Sequence, residues 1–305
     1  MHYVVRRLLY SMVTFLAVAV IVFLAMRVIP GNPIALLLGP GATPLQIRQA
    51  TQLLGLNLPV YDQFLIWFRD LITFNLGRSY ITNQPVSDSI LQPLSRSFQL
   101  VLLGMTLSVC AGIVSGVVSA TYSKNKIIDN SLNSFASFLS AVPSFWVALI
   151  LISVFAVRLH WLPAGGVGGI QFMILPALVY SLFSLPEVHR TIRASMIEEL
   201  EKPYCISAKA KGASTFRIVT KHAMRNALTP LITVLGVQVG ALLSTAVVIE
   251  LIFGWPGIGL LIVNSVLTND YLVAQDAIVL LAVIVIASNT VADLFVIRLN
   301  RRVKL

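Results

Sequence analysis

Charge is scarce in this chain. Asp, Glu, Lys and Arg make up 11% of its 305 residues, against about 25% in an average soluble domain. So few charges cannot supply the polar surface that a water-soluble fold of this length needs, which excludes a soluble enzyme and a solvated disordered tail. Cys110 and Cys205 are the only cysteines, so a disulfide scaffold is excluded too. The four histidines, His2, His160, His189 and His222, are scattered along the chain. They offer no metal site. No Gly-x-x-x-x-Gly-Lys-Ser/Thr loop, His-Glu-x-x-His, Gly-x-Ser-x-Gly or Cys-x-x-Cys occurs. Nucleotide binding through a P-loop, zinc-dependent hydrolysis and serine-hydrolase chemistry therefore have no residues to carry them, and no catalytic residue stands out. Internal repeats and low-complexity tracts are absent as well.

Apolar length is what the chain does have. Hydrophobic residues make up 57% of it and the mean hydropathy is +0.87. A helix needs about 20 largely apolar residues to cross the hydrocarbon core. Six stretches qualify: Leu9–Ile29, Leu100–Thr121, Ser134–Val157, Gln171–Pro186, Leu231–Phe253 and Leu272–Ile297. These predict an all-α polytopic membrane protein, one transmembrane domain over residues 1–305. The fourth stretch is short and holds Pro176, which predicts a helix inside a bundle, where neighbours satisfy the carbonyl that proline frees. The first is too long for the h-region of a secretory signal and lacks a small-residue cleavage site, so it reads as a retained helix.

The formal charge of +10 orients the set. Six crossings place 16 of the 22 basic residues on one side, eight of them in the loop after the fourth span. The positive-inside rule puts both termini and that loop in the cytoplasm, with no need for nucleic acid. Two long loops follow: 30–99 outside and 187–229 inside. The outer loop predicts short helices at Leu45–Leu54 and Tyr61–Phe74. The aromatics Tyr61, Phe64, Trp67, Phe68 and Phe74 suggest that the second lies at the membrane interface. Glu250, Asp276 and Asp293 are the carboxylates within the spans, all toward helix ends, where anchoring or capping costs less than a midplane proton relay. Any uphill transport therefore draws its energy from elsewhere.

The inner loop carries the sharpest pattern. Tyr204 to Gly212 reads as a short helix with small residues at Ser207, Ala208 and Ala210, ended by a glycine suited to positive φ. A second helix, Thr215 to Leu228, places Phe216, Val219, Ala223 and Ala227 along one face and Arg217, Lys221 and Arg225 on others. Such an element is either a rigid handle on the bundle or a solvated basic loop that obeys the positive-inside rule.

Here the residues resemble a known family. Tyr204-x-x-x-Ala208-Lys209-Ala210-Lys211-Gly212, then His222-Ala223-x-Arg225-Asn226-Ala227-Leu228-x-Pro230, is similar to the ATPase-coupling loop of ABC importer permeases, above all the dipeptide/oligopeptide/nickel branch. The likeness runs on through Pro30-Gly31-Asn32-Pro33, Leu54-Gly55-Leu56-Asn57-x-Pro59-x-Tyr61-x-Gln63, Leu76-Gly77-x-Ser79, Leu162-Pro163-x-Gly165, Arg190-x-x-Arg193-Ala194-Ser195-Met196, Glu250-x-x-Phe253-x-Trp255-Pro256-Gly257-x-Gly259 and Asp270-Tyr271.

The resemblance implies a type I importer permease fold in a bacterial inner membrane. It implies pairing with a second homologous permease, two ATP-binding subunits that hold the ATP and magnesium, and a periplasmic or lipid-anchored substrate-binding protein. The chain itself would hold no cofactor. Its cargo would be di- or oligopeptides, with nickel or another chelated metal as the alternative and an ATP-independent carrier or channel as a further one. Lys209 and Lys211 would face the ATPase. Departures from the pattern include Ile206-Ser207-Ala208 in place of Glu-Ala-Ala, Asn32 and Asn57 in place of Asp, and Ser244-Thr245 in place of a glycine-rich pair. With Pro186, Glu187, His189 and Glu250, the Ser244-Thr245 pair makes up the candidate pathway or gate residues.

Overall fold

The computed structural model describes residues 2–28, 34, 38, 39 and 41–299. The motif Pro30-Gly31-Asn32-Pro33 and the terminal Arg301, Arg302 and Lys304 lie outside the described residues. The described chain is almost wholly helical. Among the described residues, five helices are long and apolar enough to cross a membrane: α1 (His2–Val28), α4 (Val86–Thr121), α7 (Gln171–Leu200), α10 (Thr229–Phe253) and α12 (Tyr271–Leu299).

The third predicted span is not one straight helix. It is a pair, α5 (Lys126–Ala141) and α6 (Ser144–Leu151, continued by a π-helical stretch Ile152–Arg158), bent by 102° at Val142-Pro143. Proline bars the residue before it from helical ψ, and Val142 is extended at ψ 126°. The hydropathy run Ser134–Val157 crosses that break without registering it.

Two other boundaries move. Predicted to start at Leu100, α4 begins at Val86 and spans 36 residues, about 54 Å at 1.5 Å per residue. The last part of the predicted outer loop is thus helix. Likewise α7 does not stop at Pro186 but continues to Leu200 with Pro176 and Pro186 both inside it. Its apolar window is 61% buried, against 17–33% for the other long helices, so the prolines sit where neighbouring helices cover the backbone.

The chain divides into two compact units. Unit 1 comprises residues 1–97 and 255–287 and unit 2 residues 98–254 and 288–305. In unit 1, the predicted short helices are α2 (Pro44–Leu53) and α3 (Val60–Ile72). A capping box of Thr43 and Gln46 starts α2. Phe64, Trp67 and Phe68 pack on Phe15 and Phe23 of α1, while Tyr61 and Phe74 stay exposed. A helix that hydropathy did not predict, α11 (Ile258–Leu267), is apolar but too short to span. Its first amide, Ile258 N–H, donates to Ser97 Oγ at 2.8 Å. Ser79 and Asp270, 191 residues apart in two separate motifs, are hydrogen-bonded and buried.

Unit 2 is built on close helix contact. A Cβ added at Gly104, Gly112 or Gly116 of α4 would stand 2.4, 2.5 or 2.9 Å from atoms of α7. Small residues let helix backbones approach where apolar burial gives no drive in lipid. Gly112→Ala is expected to cost about 1–3 kcal/mol by overpacking against Val188, read as a lower midpoint of unfolding in mixed detergent micelles.

Candidate functional site

The predicted coupling element follows directly from α7. Lys202-Pro203 opens α8 (Pro203–Ala210) with proline in the first turn, and Gly212 at φ +83° ends it. The second helix, α9, is not uniform. It consists of Thr215–Arg217, a π stretch Ile218–Ala223 and Met224–Ala227, and Ser214 caps its start by accepting from Arg217 N–H. Val219, Ala223 and Ala227 are buried as predicted, packed with Cys205, Val188, Ile192 and Met196. Phe216, in the first turn of α9, does not join that packing: it is 78% exposed.

This packing fixes what α8 and α9 present. Cys205 is buried and Ala208 half-buried, whereas Ser207, Lys209, Ala210, Lys211 and Gly212 are exposed. Ile206 and Phe216 add exposed apolar surface beside the lysines. Of the remaining coupling-loop residues, His222 is half-buried and Arg225 and Asn226 are exposed.

A carboxylate that sequence reasoning did not single out holds the element together. Glu199, in the last turn of α7, is buried. Its Oε1 accepts from the Lys202 ammonium and its Oε2 from the Tyr204 hydroxyl. Oε2 also accepts from Asn226 Nδ2 at 3.3 Å, and the same amide donates to Tyr204 Oη at 3.1 Å. One side chain thus joins the end of α7 to α8 and α9. The hydrogen bond to Glu199 raises the Lys202 pKa, and burial followed by that carboxylate pushes the Tyr204 phenol up, so both stay protonated donors. Burial also raises the Cys205 thiol, which leaves it a neutral apolar contact. Lys202→Ala is expected to leave stability nearly unchanged, since its side chain is 40% exposed. Glu199→Ala is expected to cost about 1–3 kcal/mol, because it removes the acceptor shared by three donors. SDS-induced unfolding of the two variants in mixed micelles separates these outcomes.

The candidate pathway residues do not converge. Pro186 is buried inside α7, and Glu187 beside it is exposed. Ser244 and Thr245 turn their hydroxyls onto their own helix, at Gly240 O (2.9 Å) and Leu242 O (2.8 Å). Glu250 is fully buried near the end of α10. His189 instead joins a polar network among α4, α5 and α7, with Nδ1 at 3.0 Å from Ser115 Oγ and Nε2 at 3.4 Å from Asn133 Oδ1. At the centre of that network, Arg193 holds Asp129 in a two-pronged pair, Nε to Oδ1 at 2.8 Å and Nη2 to Oδ2 at 2.7 Å. Ser119 Oγ and Asn133 Nδ2 also donate to Asp129 Oδ1. Arg193 stood in a sequence motif; Asp129, 64 residues before it, did not.

Among the described residues, no group of three or more His, Cys, Asp and Glu is placed to hold a metal ion. What the arrangement can do is mechanical: a basic, partly apolar surface is fixed by buried contacts to the end of a membrane helix.

Comparison with known proteins agrees with that geometry. Residues 112–305 match the family described as binding-protein-dependent transport system inner membrane component. Residues 1–101 match its N-terminal companion family. A Brucella abortus (strain 2308) protein that carries the name of a peptide transport system permease is 34% identical over 309 residues, covering 99% of this chain and 98% of the relative. The glutathione transport system permease protein GsiC of Escherichia coli O6:H1 is 35% identical over 304 residues, covering 100% and 99%. In fold, the chain is similar to the crystal structure of an amino acid ABC transporter with histidines (TM-score 0.53, 16% identity), covering 71% of this chain and 95% of that one. A chain matched along nearly its whole length, and largely helical in its described part, belongs to the binding-protein-dependent transport system inner membrane component family.

Proposed function

We propose that the chain forms the translocation pathway of an ATP-driven importer of di- and oligopeptides and takes its energy from separate ATP-binding subunits. The observation that carries this reading is the α8–α9 element, whose buried face locks onto α7 while Lys209, Lys211, Ile206 and Phe216 remain exposed. A mixed basic and apolar surface suits a protein partner. The Glu199 network gives that partner a rigid connection to α7, and α9 leads directly into α10. When two ATP-binding subunits close on ATP and magnesium, the push on α8 would tilt the spans, and each orientation of the pathway would be selected by its own contacts.

The basic residues of this loop support a cytoplasmic position for it and for both termini. A second homologous permease completes the pathway, and a periplasmic or lipid-anchored binding protein delivers cargo to it. Relatives named for peptide and glutathione transport support a peptide-like cargo.

The test is uptake. A strain lacking the chain is expected to lose accumulation of radiolabelled Ala-Ala, to regain it when the gene is restored, and to lose it again on ATP depletion. Nickel accumulation that follows the gene while Ala-Ala accumulation does not would move the cargo to chelated metal. Uptake that ignores ATP depletion would make the chain a carrier or channel.

A further inference from the structure

Unit 1 contains a cleft of about 830 Å³ whose walls include Arg27, Gln63, Trp67, Tyr80, Gln275 and Asp276. Small-molecule sites usually enclose about 300–1,000 Å³. Two of its charged side chains, the buried Asp276 and the exposed Arg27, form no ion pair among the described residues. Asp276 is 1% exposed, and its Oδ1 accepts from Trp67 Nε1 at 2.8 Å while its Oδ2 has no hydrogen-bond partner. A buried carboxylate with one oxygen unmatched is costly unless a cation or a donor meets it.

Among the described residues, Arg27 has neutral partners. Its Nη1 donates to Phe23 O and its Nη2 to Gln63 Oε1, both at 3.0 Å, and its guanidinium lies over the Phe23 ring. The other charged residues of the wall are engaged elsewhere: Asp70 pairs with Arg69, and Arg78 donates to Asn83 O. Tyr80 lines the same cleft as Arg27 and Asp276. Burial, then the Asp270 and Asp276 carboxylates, raises its phenol and keeps it a neutral donor.

We propose that this cleft is a ligand site for a compact zwitterion, a short peptide whose ammonium meets Asp276 and whose carboxylate meets Arg27. The choice of a peptide rests on the transport reading above; the charge pattern of the cleft does not. An ammonium would supply the donors that Asp276 Oδ2 lacks, and a carboxylate would match the planar fork of Arg27. A phosphatidylethanolamine headgroup carries the same two charges, with phosphate in place of carboxylate, so the test separates the two sources.

The test is calorimetric titration of the full-length chain in phosphatidylcholine nanodiscs with Ala-Ala, N-acetyl-Ala-Ala and Ala-Ala amide. Ala-Ala is expected to bind, and each blocked peptide to bind at least about tenfold more weakly, as loss of a buried charge contact implies. Asp276→Asn keeps an acceptor for Trp67 and is expected to erase the preference for a free ammonium but not that for a free carboxylate. Arg27→Gln is expected to do the converse. Absence of Ala-Ala binding, equal binding of the three peptides, or an Asp276→Asn protein that still prefers the free ammonium would overturn the proposal. If Asp276→Asn does not fold, the peptide series on the native chain and on Arg27→Gln decides alone. Competition by phosphatidylethanolamine added to the nanodiscs would give the cleft to lipid and overturn the peptide assignment. Failure here and failure of the transport reading are distinguishable. Ala-Ala uptake without binding at the cleft removes the cleft only, and binding by a chain that moves no peptide removes the transport role only.

Discussion

A Gly212→Pro variant is expected to insert into the membrane as the native chain does and to lose ATP-driven uptake down to background. Gly212 sits between α8 and α9 at φ +83°, a value that the proline ring, fixed near −65°, cannot adopt. Its N–H donates to Lys209 O at 3.0 Å, a bond that proline removes. The residue before it is affected as well: Lys211 lies at φ −80°, ψ 6°, and a following proline pushes it toward extended ψ. Three local demands therefore fail together, and the last turn of α8 must come apart. No long spanning helix includes this position, so insertion is unaffected. Gly212→Ala provides the graded control. A Cβ there meets nothing within 4 Å, so only the left-handed backbone is penalised, by about 1 kcal/mol, and most uptake is expected to remain. Uptake of Ala-Ala and ATP hydrolysis, measured side by side in proteoliposomes holding the whole transport assembly, separate the two variants: hydrolysis persists without uptake in the proline variant. Normal uptake by Gly212→Pro would refute the handle.

The largest stability effect is expected at Arg193. Replacing it with Met leaves Asp129, whose side chain is 10% exposed, without its two-pronged partner. Breaking a buried pair on one side typically costs about 3–5 kcal/mol, because the remaining charge is stranded. Arg193 is itself 28% exposed, and Ser119 and Asn133 still donate to Asp129, so a loss near the lower end, about 3 kcal/mol, is expected. The double variant Asp129→Asn with Arg193→Met is expected to recover part of that loss, since neither charge is left alone. The exposed pair Arg69–Asp70, with Arg69 71% exposed, makes the contrast: Arg69→Ala is expected to change stability by less than about 1 kcal/mol. SDS-induced unfolding in mixed micelles measures all of these. Additive effects of the Asp129 and Arg193 changes would show that the pair does not couple α5 to α7.

What the sequence made legible was whatever its chemistry keeps local. Apolar length alone marks the spanning helices, because lipid forces every backbone group to be satisfied within a segment. Gly212, Tyr204 and Asn226 could be picked out because the turn between α8 and α9 and its flanks sit within one short motif. Glu199 and Asp129 could not. Their partners arrive from up to 27 and 64 residues away, and a single sequence holds no trace of that pairing. The bend at Val142-Pro143 was written in the residues, yet a hydropathy average is blind to a break that changes direction without changing polarity. Phe216 shows a further limit: periodicity puts it on the face of Val219, Ala223 and Ala227, yet at the first turn of α9 it stays exposed. Of the six candidate gate residues, Ser244 and Thr245 hydrogen-bond to their own helix and His189 joins the Asp129 network.

Site-specific photo-crosslinking from residue 209 tests the central claim most directly. A photoreactive amino acid replaces Lys209 on the exposed face of α8, and irradiation is carried out in native membranes with and without ATP. The expected result is a single major adduct to a P-loop ATP-binding subunit, with a yield that changes when nucleotide is added and that falls in the Gly212→Pro background. Crosslinks to lipid or to no protein at all, unaffected by ATP, would contradict the reading of α8 as the part of the chain on which the ATPase acts.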